Sequence, residues 1–380
     1  MKKVISFVLS MILLTAPALA VDVLTEETFA LKCDAALLME AETGTVLDAK
    51  GEREHLSPAS VTKVMTLLLV AEAVATGAVG RQDMVTASAR AASMGGSQIW
   101  LEEGEVLTVG EMLKCVAVVS ANDCAVALGE HLAGSEAAFV ARMNQRAKEL
   151  GMENTAFVNA CGLTAQGHLT SAHDIGLMSA QLLREHPWIC DYTTIWQDSV
   201  RDGQSVLNNT NKLLKSYQGI TGLKTGYTST AGYCVSATAL REDLHLIAVI
   251  MGGESSQSRN ADAAALLSWG FANFAAVQLG ADRPLLPLPV DMGKQDTVAL
   301  ELGESLPRVL PRADLSRLEK TLELPQRLTA PIEPGQQVGD LVVRLEGKEV
   351  CRVPVLATEG VQRLGIWDVF AMIFACLCAR

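Results

Sequence analysis

Two stretches of β-type sequence, held apart by more than a hundred residues of helical pattern, constrain this chain more than any other feature. Ala35 to Glu40 and Thr45 to Ala49 read as strands around Thr43-Gly44, a hairpin. From about Pro58 to Arg184 the apolar spacing is helical and well punctuated. Thr108 and Glu111 form a capping box, Ser135 caps the segment that ends near Gly151, and Pro187 stops another helix. Between Gly222 and Gly252 the β pattern returns, with Tyr233 to Ala239 and Leu244 to Met251 flanking Arg241-Glu242-Asp243, and a helix is expected over Asn260 to Ala275. Strands at both ends of a helical segment bury their faces by joining one sheet with helices packed on it, which predicts an α+β domain over 25–276.

Composition shifts after that domain. Arg283-Pro284-Leu285-Leu286-Pro287-Leu288-Pro289 reads as a linker or an extended first strand, and short β-type runs follow. The clearest is a hairpin, Leu341 to Leu345 and Glu349 to Leu356 around Glu346-Gly347, so a small all-β domain is expected over 278–358. The tail, 363–380, is apolar from Leu364 to Ala379 except for Asp368. As a helix it would be about 24 Å long, short of the roughly 30 Å hydrocarbon core, and Ile366, Trp367, Phe370, Ile373, Phe374 and Leu377 would share one side. That predicts an amphipathic helix lying on a membrane surface.

At the other end, Lys2 and Lys3 precede an apolar run from Val4 to Leu14, and Ala18-Leu19-Ala20 offers a small-residue cleavage site; residues 1–20 read as a signal peptide. Losing those two lysines takes the formal net charge from −12 to −14, a poor basis for binding nucleic acid. Nine cysteines fall at irregular intervals without a Cys-x-x-Cys pair, so most read as small buried apolar residues, and export leaves an isolated disulfide open. Six histidines show no metal-ligand spacing, and no cofactor or metal is expected.

Within the helical block, Ser57-Pro58-Ala59-Ser60-Val61-Thr62-Lys63 combines an N-cap residue, a proline suited to the first turn, and a serine and lysine one turn apart. As the third helical residue, Ser60 would keep its backbone N–H free to donate to an oxyanion while Lys63 reaches its hydroxyl. Alone, the pattern equally describes a helix start with a solvated lysine. Ser120-Ala121-Asn122 joins two helical runs: it is either a capped connection, or a hydroxyl that relays a proton and an amide that both donates to and accepts from a peptide backbone. Lys224-Thr225-Gly226 lies in a β-type run. It is either an ordinary strand with an exposed lysine, or an edge strand that pairs with an extended peptide, with Gly226 allowing close approach and the Tyr227 N–H as a second oxyanion donor.

Ser-x-x-Lys, Ser-x-Asn and Lys-Thr-Gly in that order match the active-site set of the penicillin-binding protein and serine β-lactamase superfamily. Around them the chain resembles the low-molecular-mass penicillin-binding proteins of the D-alanyl-D-alanine carboxypeptidase type. The resemblance runs through Gly96-Ser97-Gln98, Asn209-Thr210-Asn211-Lys212, Gly222 to Thr228, Ala231-Gly232-Tyr233-Cys234 and Ser268-Trp269-Gly270-Phe271, and covers nearly the whole chain. It implies a β-lactamase/transpeptidase-like domain, a small β domain and a membrane-associating C-terminal helix.

The resemblance also implies roles. Ser60 attacks the terminal D-Ala-D-Ala bond of a peptidoglycan stem peptide, and Lys63, its pKa lowered by burial and by Lys224, takes the proton. Ser120 passes a proton to the leaving amine, Asn122 holds the substrate amide, and Lys224, Thr225 and Gly226 line the carboxylate end. The Ser60 and Tyr227 N–H groups stabilise the oxyanion, and Arg259 either assists at the carboxylate or is a surface arginine at a helix start. β-Lactams would be covalent inhibitors. A class A β-lactamase would carry a Glu-x-x-Leu-Asn motif between the second and third motifs, and none is present. Endopeptidase action on cross-links and a non-catalytic wall-binding protein remain as alternatives.

Overall fold

The computed structural model describes residues 30–281, 284–304 and 308–378. The proposed leader, 1–20, lies outside them. Strand β1, Ala35–Glu40, is buried along its whole length, and β2, Val46–Lys50, pairs with it antiparallel. The helical block follows as α1, Lys63–Ala75; α2, Val109–Val118; α3, Asn122–Ala133; α4, Glu136–Glu149; and α5, Ala172–Glu185. The chain then returns to the sheet with β3, Ile220–Thr228, β4, Gly232–Arg241, and β5, Leu244–Gly253, before α6, Ser256–Asn273.

The five strands form one antiparallel sheet in the order β2-β1-β5-β4-β3, so the first and last parts of the domain meet at the β1–β5 pair. Alternate side chains of β1 serve opposite faces. Leu37 and Met39 pack where Gly176 lets α5 approach, while Leu38 and Leu246 pack where Gly270 lets α6 approach. The α+β arrangement expected from the sequence is thus present, with helices on both faces. Helices α1, α2 and α3 join α5 in one continuous core with β1 and β5.

Local chemistry accounts for most boundaries. Thr108 accepts from the Glu111 N–H and Glu111 bonds back, forming the capping box of α2, and Ser135 caps α4 through the Ala138 N–H. Between β4 and β5, Glu242 and Asp243 both have positive φ, as a two-residue turn matching the sheet twist requires. Helix α6 starts earlier than the expected Asn260, because Ser255 and Ser258 form a second capping box. It also stops sooner: Phe274–Val277 is a strand paired with Arg308–Pro311.

The C-terminal part is built from strands. Leu300–Leu302, Lys348–Ala357, Gln337–Leu345 and Leu318–Glu323 form a four-stranded sheet in that spatial order, and the hairpin turn carries positive φ at Glu346 and Gly347. It has small cores of its own, one around Val298, Ile332 and Val355 and one around Leu341, Val343 and Val353. Arg312 ties this part to α6 by donating to the Phe271 carbonyl at 3.0 Å. Helix α7, Ile366–Cys378, ends the described chain with Ile366, Trp367, Phe370 and Phe374 exposed. No helix among the described residues is long and apolar enough to cross a membrane. The seven cysteines from Cys33 to Cys351 are free thiols.

Candidate active site

The start of α1 differs from a helix with a side-chain cap. Ala59–Thr62 is a 3-10 turn, Pro58 holds the cap position, and no side chain caps it; Ser57 does not play the part its sequence position suggests. Ala59 has φ +46°, a left-handed conformation that side-chain-bearing residues avoid. Tertiary contacts, described below, hold this turn in place of a local cap. A 3-10 turn eclipses residues three apart, and that sets Lys63 directly behind Ser60. The Lys63 Nζ lies 3.1 Å from the Ser60 Oγ, 2.6 Å from the Asn122 Oδ1 and 2.7 Å from the Cys161 carbonyl oxygen.

Lys63 is fully buried, and burial lowers its pKa to about 8. Its two protein acceptors, Asn122 and Cys161, take two N–H groups. In the neutral amine the remaining position at nitrogen is a lone pair, and the third neighbour is the Ser60 hydroxyl. The geometry therefore suits proton transfer from Ser60 to Lys63.

The second motif surrounds that pair. Ser120 has φ +65°, is buried, and its hydroxyl has no hydrogen-bond partner among the described residues. Asn122 opens α3, donates from Nδ2 to the Gly95 carbonyl at 2.6 Å and from its backbone N–H to the Ser97 carbonyl at 2.7 Å. Both polar atoms of its side chain are engaged within the protein, and its clearest contact is with Lys63. The buried Asp123 carboxylate accepts from the Ile99 and Leu101 N–H groups and so fastens the 95–101 loop beside the motif.

The third motif lies on β3, an edge of the sheet. Lys224 and Thr225 are both buried, so the strand's lysine is not a solvated one. The Lys224 Nζ donates to the Thr225 carbonyl at 2.8 Å, and the Thr225 hydroxyl donates to that of Thr210 at 2.8 Å. Burial holds Lys224 well below its ordinary pKa, with repulsion from Lys63 and Arg259 adding to it. Burial is likewise the leading influence on Lys63, and charge repulsion between two neighbouring amines acts on both. Arg259, on α6, is 4% exposed, which removes the surface-arginine alternative.

Gly226 also serves the packing of the site. A Cβ there would lie 2.9 Å from the Ser60 nitrogen, 3.0 Å from the Ala59 Cβ and 3.1 Å from the Val61 nitrogen. What approaches Gly226 is the backbone of the Ser60 turn. Tyr227, one residue on, is half exposed and stacks across the strand pair on Tyr233 with ring centroids 4.3 Å apart.

Residues 22–255 match the model of the family described as D-alanyl-D-alanine carboxypeptidase. The chain belongs to that family. Residues 279–363 match the C-terminal domain of penicillin-binding protein 5. Among curated proteins, the D-alanyl-D-alanine carboxypeptidase DacF of Bacillus subtilis is 40% identical over 335 residues, covering 87% of this chain and 86% of the relative. Penicillin-binding protein 5 of Haemophilus influenzae superposes with a TM-score of 0.72 at 30% identity, over 88% of this chain and 98% of the other. Penicillin-binding protein D2 of Listeria monocytogenes, solved in its ampicillin-bound form, is 31% identical with a TM-score of 0.59 and covers 64% of this chain and 99% of its own.

In this carboxypeptidase-family chain, Lys224 is repelled by Lys63 and Arg259 in a largely buried region, and an anion placed there would relieve that repulsion. Several residues that shape the site carry no motif. The Cys161 carbonyl holds Lys63; Gly162, at φ +87°, lets the Ala59 carbonyl approach where a Cβ would collide with it; and the Gly95 carbonyl anchors Asn122. A backbone carbonyl has no sequence signature, which is why Cys161 and Gly95 escape a sequence reading.

Proposed function

We propose that this protein is a serine-type D-alanyl-D-alanine carboxypeptidase that removes the terminal D-alanine from peptidoglycan stem pentapeptides. The observation that carries the reading is the Lys63 amine, buried and held by two acceptors so that its third position meets the Ser60 hydroxyl. Ser60 Oγ attacks the carbonyl carbon of the D-Ala-D-Ala bond while its proton passes to the neutral Lys63 amine. The oxyanion is stabilised by the Ser60 and Tyr227 N–H groups. Ser120, with its unpartnered hydroxyl, relays the proton to the leaving nitrogen; the C–N bond breaks, D-alanine leaves, and an acyl ester remains on Ser60. Water then attacks the ester and gives its proton to Lys63, which returns it to Ser60 Oγ as the acyl C–O bond breaks, and the shortened peptide leaves.

Lys224, Thr225 and Arg259 receive the substrate's terminal carboxylate, and Asn122 keeps one Nδ2 hydrogen for the substrate amide while it holds Lys63. Gly226 contributes by its missing side chain. A β-lactam presents a strained amide and a carboxylate in the same arrangement and would acylate Ser60. The absence of a Glu-x-x-Leu-Asn motif favours a long-lived penicilloyl ester over β-lactamase turnover. D,D-endopeptidase action on cross-links uses the same bond chemistry and belongs to the same reading.

We further propose the division 1–20 as leader, 25–276 as catalytic domain, 278–358 as β domain and 363–380 as a membrane-surface helix, with the enzyme on the outer face of the cell membrane. The exposed Ile366, Trp367, Phe370 and Phe374 support the last assignment. Incubation with a pentapeptide ending in D-Ala-D-Ala should release one equivalent of D-alanine. No release, or release unchanged by Ser60→Ala, would overturn the enzymatic reading. Deleting 364–380 should move the protein to the soluble fraction.

A further inference from the structure

Outside the three motifs, one buried network ends on the nucleophile turn. The Val158 N–H donates to the His168 Nδ1 at 2.9 Å. A backbone amide only donates, so that nitrogen is bare and the imidazole proton sits on Nε2. Nε2 lies 2.8 Å from the Thr62 Oγ1, whose own hydrogen is donated to the Ala59 carbonyl at 2.9 Å. Every direction is therefore fixed: Val158 N–H to His168, His168 to Thr62, Thr62 to Ala59. The last acceptor belongs to the residue at φ +46° that precedes Ser60.

The segment carrying His168 is clipped to the strand entering the nucleophile turn. Leu56 and Thr170 exchange two backbone hydrogen bonds at 2.8 and 2.9 Å, and Ala156 and Leu169 exchange two more at 2.9 and 3.1 Å. His168 is 1% exposed, and burial pushes its pKa down to about 4, so the neutral ring the network needs is the one present at working pH. An imidazolium would turn an N–H toward the Val158 N–H.

We propose that His168 is a positioning residue for acylation: acting through Thr62, its neutral imidazole holds the left-handed Ala59 turn that aims the Ser60 hydroxyl at Lys63 and the Ser60 N–H at the oxyanion. His168 touches neither substrate nor Ser60. The inference rests on Ser60 being the nucleophile. The full chain is compared as wild type, His168→Leu, Thr62→Val, the double variant and His168→Gln, whose amide nitrogen can still donate to Thr62.

Acylation by a fluorescent penicillin is measured per titratable active site, alongside kcat and KM for D-alanine release. A displaced nucleophile predicts a loss of roughly tenfold to a hundredfold in His168→Leu, carried by kcat rather than KM. The double variant should be no worse than the worse single one, and His168→Gln should recover most of the rate. Wild-type acylation in His168→Leu, or in Thr62→Val should His168→Leu fail to fold, overturns the proposal. So do losses that multiply in the double variant or that appear in KM alone. A wild type that fails to label at Ser60 would instead overturn the nucleophile reading itself.

Discussion

Lys63 has one position free for chemistry because the other two are occupied by the Asn122 and Cys161 oxygens. On the proposed mechanism its protonation state sets the rate of acylation. A base works only when deprotonated, and burial brings its pKa to about 8, so the second-order rate of acylation by benzylpenicillin should rise with pH and level off above that value. A profile flat between about pH 6 and pH 10 would remove Lys63 as the base. Asn122→Asp tests the same point in the opposite direction. It replaces an amide oxygen 2.6 Å from the amine by a carboxylate, which favours the ammonium form, so the rise should move to higher pH and the neutral-pH rate should fall. The motif residues were legible in the sequence because residue type and spacing mark them, and the structure brings Ser60, Lys63 and Asn122 within hydrogen-bond distance. The Cys161 and Gly95 carbonyls, and the left-handed Ala59, were not, since backbone acceptors and conformation leave no residue-type signal.

At the scale of elements, β3 and the 3-10 turn that begins at Ala59 meet through Gly226. The three atoms nearest to a Cβ there belong to the Ser60 turn, two of them backbone nitrogens and the third an alanine Cβ, so none of them can yield by a side-chain rotation. Gly226→Ala should push the edge strand off the Ser60 backbone and lower acylation on the order of a hundredfold, with the unfolding midpoint changed much less. Wild-type acylation rates in that variant would show that the strand and the turn tolerate separation. Helix α6 offers a contrast in which local chemistry decides. Ser255 accepts from the Ser258 N–H as its cap, and Ser255→Ala should cost about 1 kcal/mol in a denaturant titration while leaving acylation intact. The caps of α2 and α4 and the hairpin turns could be read from sequence because each is set within a few residues. The start of α1 could not: its Ser57 is a good capping residue on local grounds, but the turn is held by Thr62 and by Gly162, a hundred residues away.

Across the whole molecule, the sheet order joins β1 to β5 and so packs distant parts of the chain around a polar centre that must stay dry. Such a centre makes stability depend on pH. Buried His168 and half-buried His245 sit in separate places, the latter 2.9 Å from the Thr221 hydroxyl, and desolvation lowers both pKa values from the ordinary 6.5 to about 4. Between those limits the unfolded chain binds protons at these positions that the folded chain does not, so the folded state loses stability as pH falls from 6.5 toward 4. The loss approaches on the order of 3 kcal/mol for each ring, at about 1.4 kcal/mol per unit of pKa. Asp174 and Glu105, held below the usual carboxylate range, add their losses only at lower pH, as those carboxylates protonate. Asp48 and Asp262, held above it, work in the other direction and blunt the acid limb. Urea titrations at intervals from about pH 7 to about pH 4 should therefore show a falling unfolding free energy, with the slope reduced in His245→Gln, which keeps a donor and an acceptor but no titratable ring. A free energy constant over that range would mean that both rings take up protons without leaving their partners.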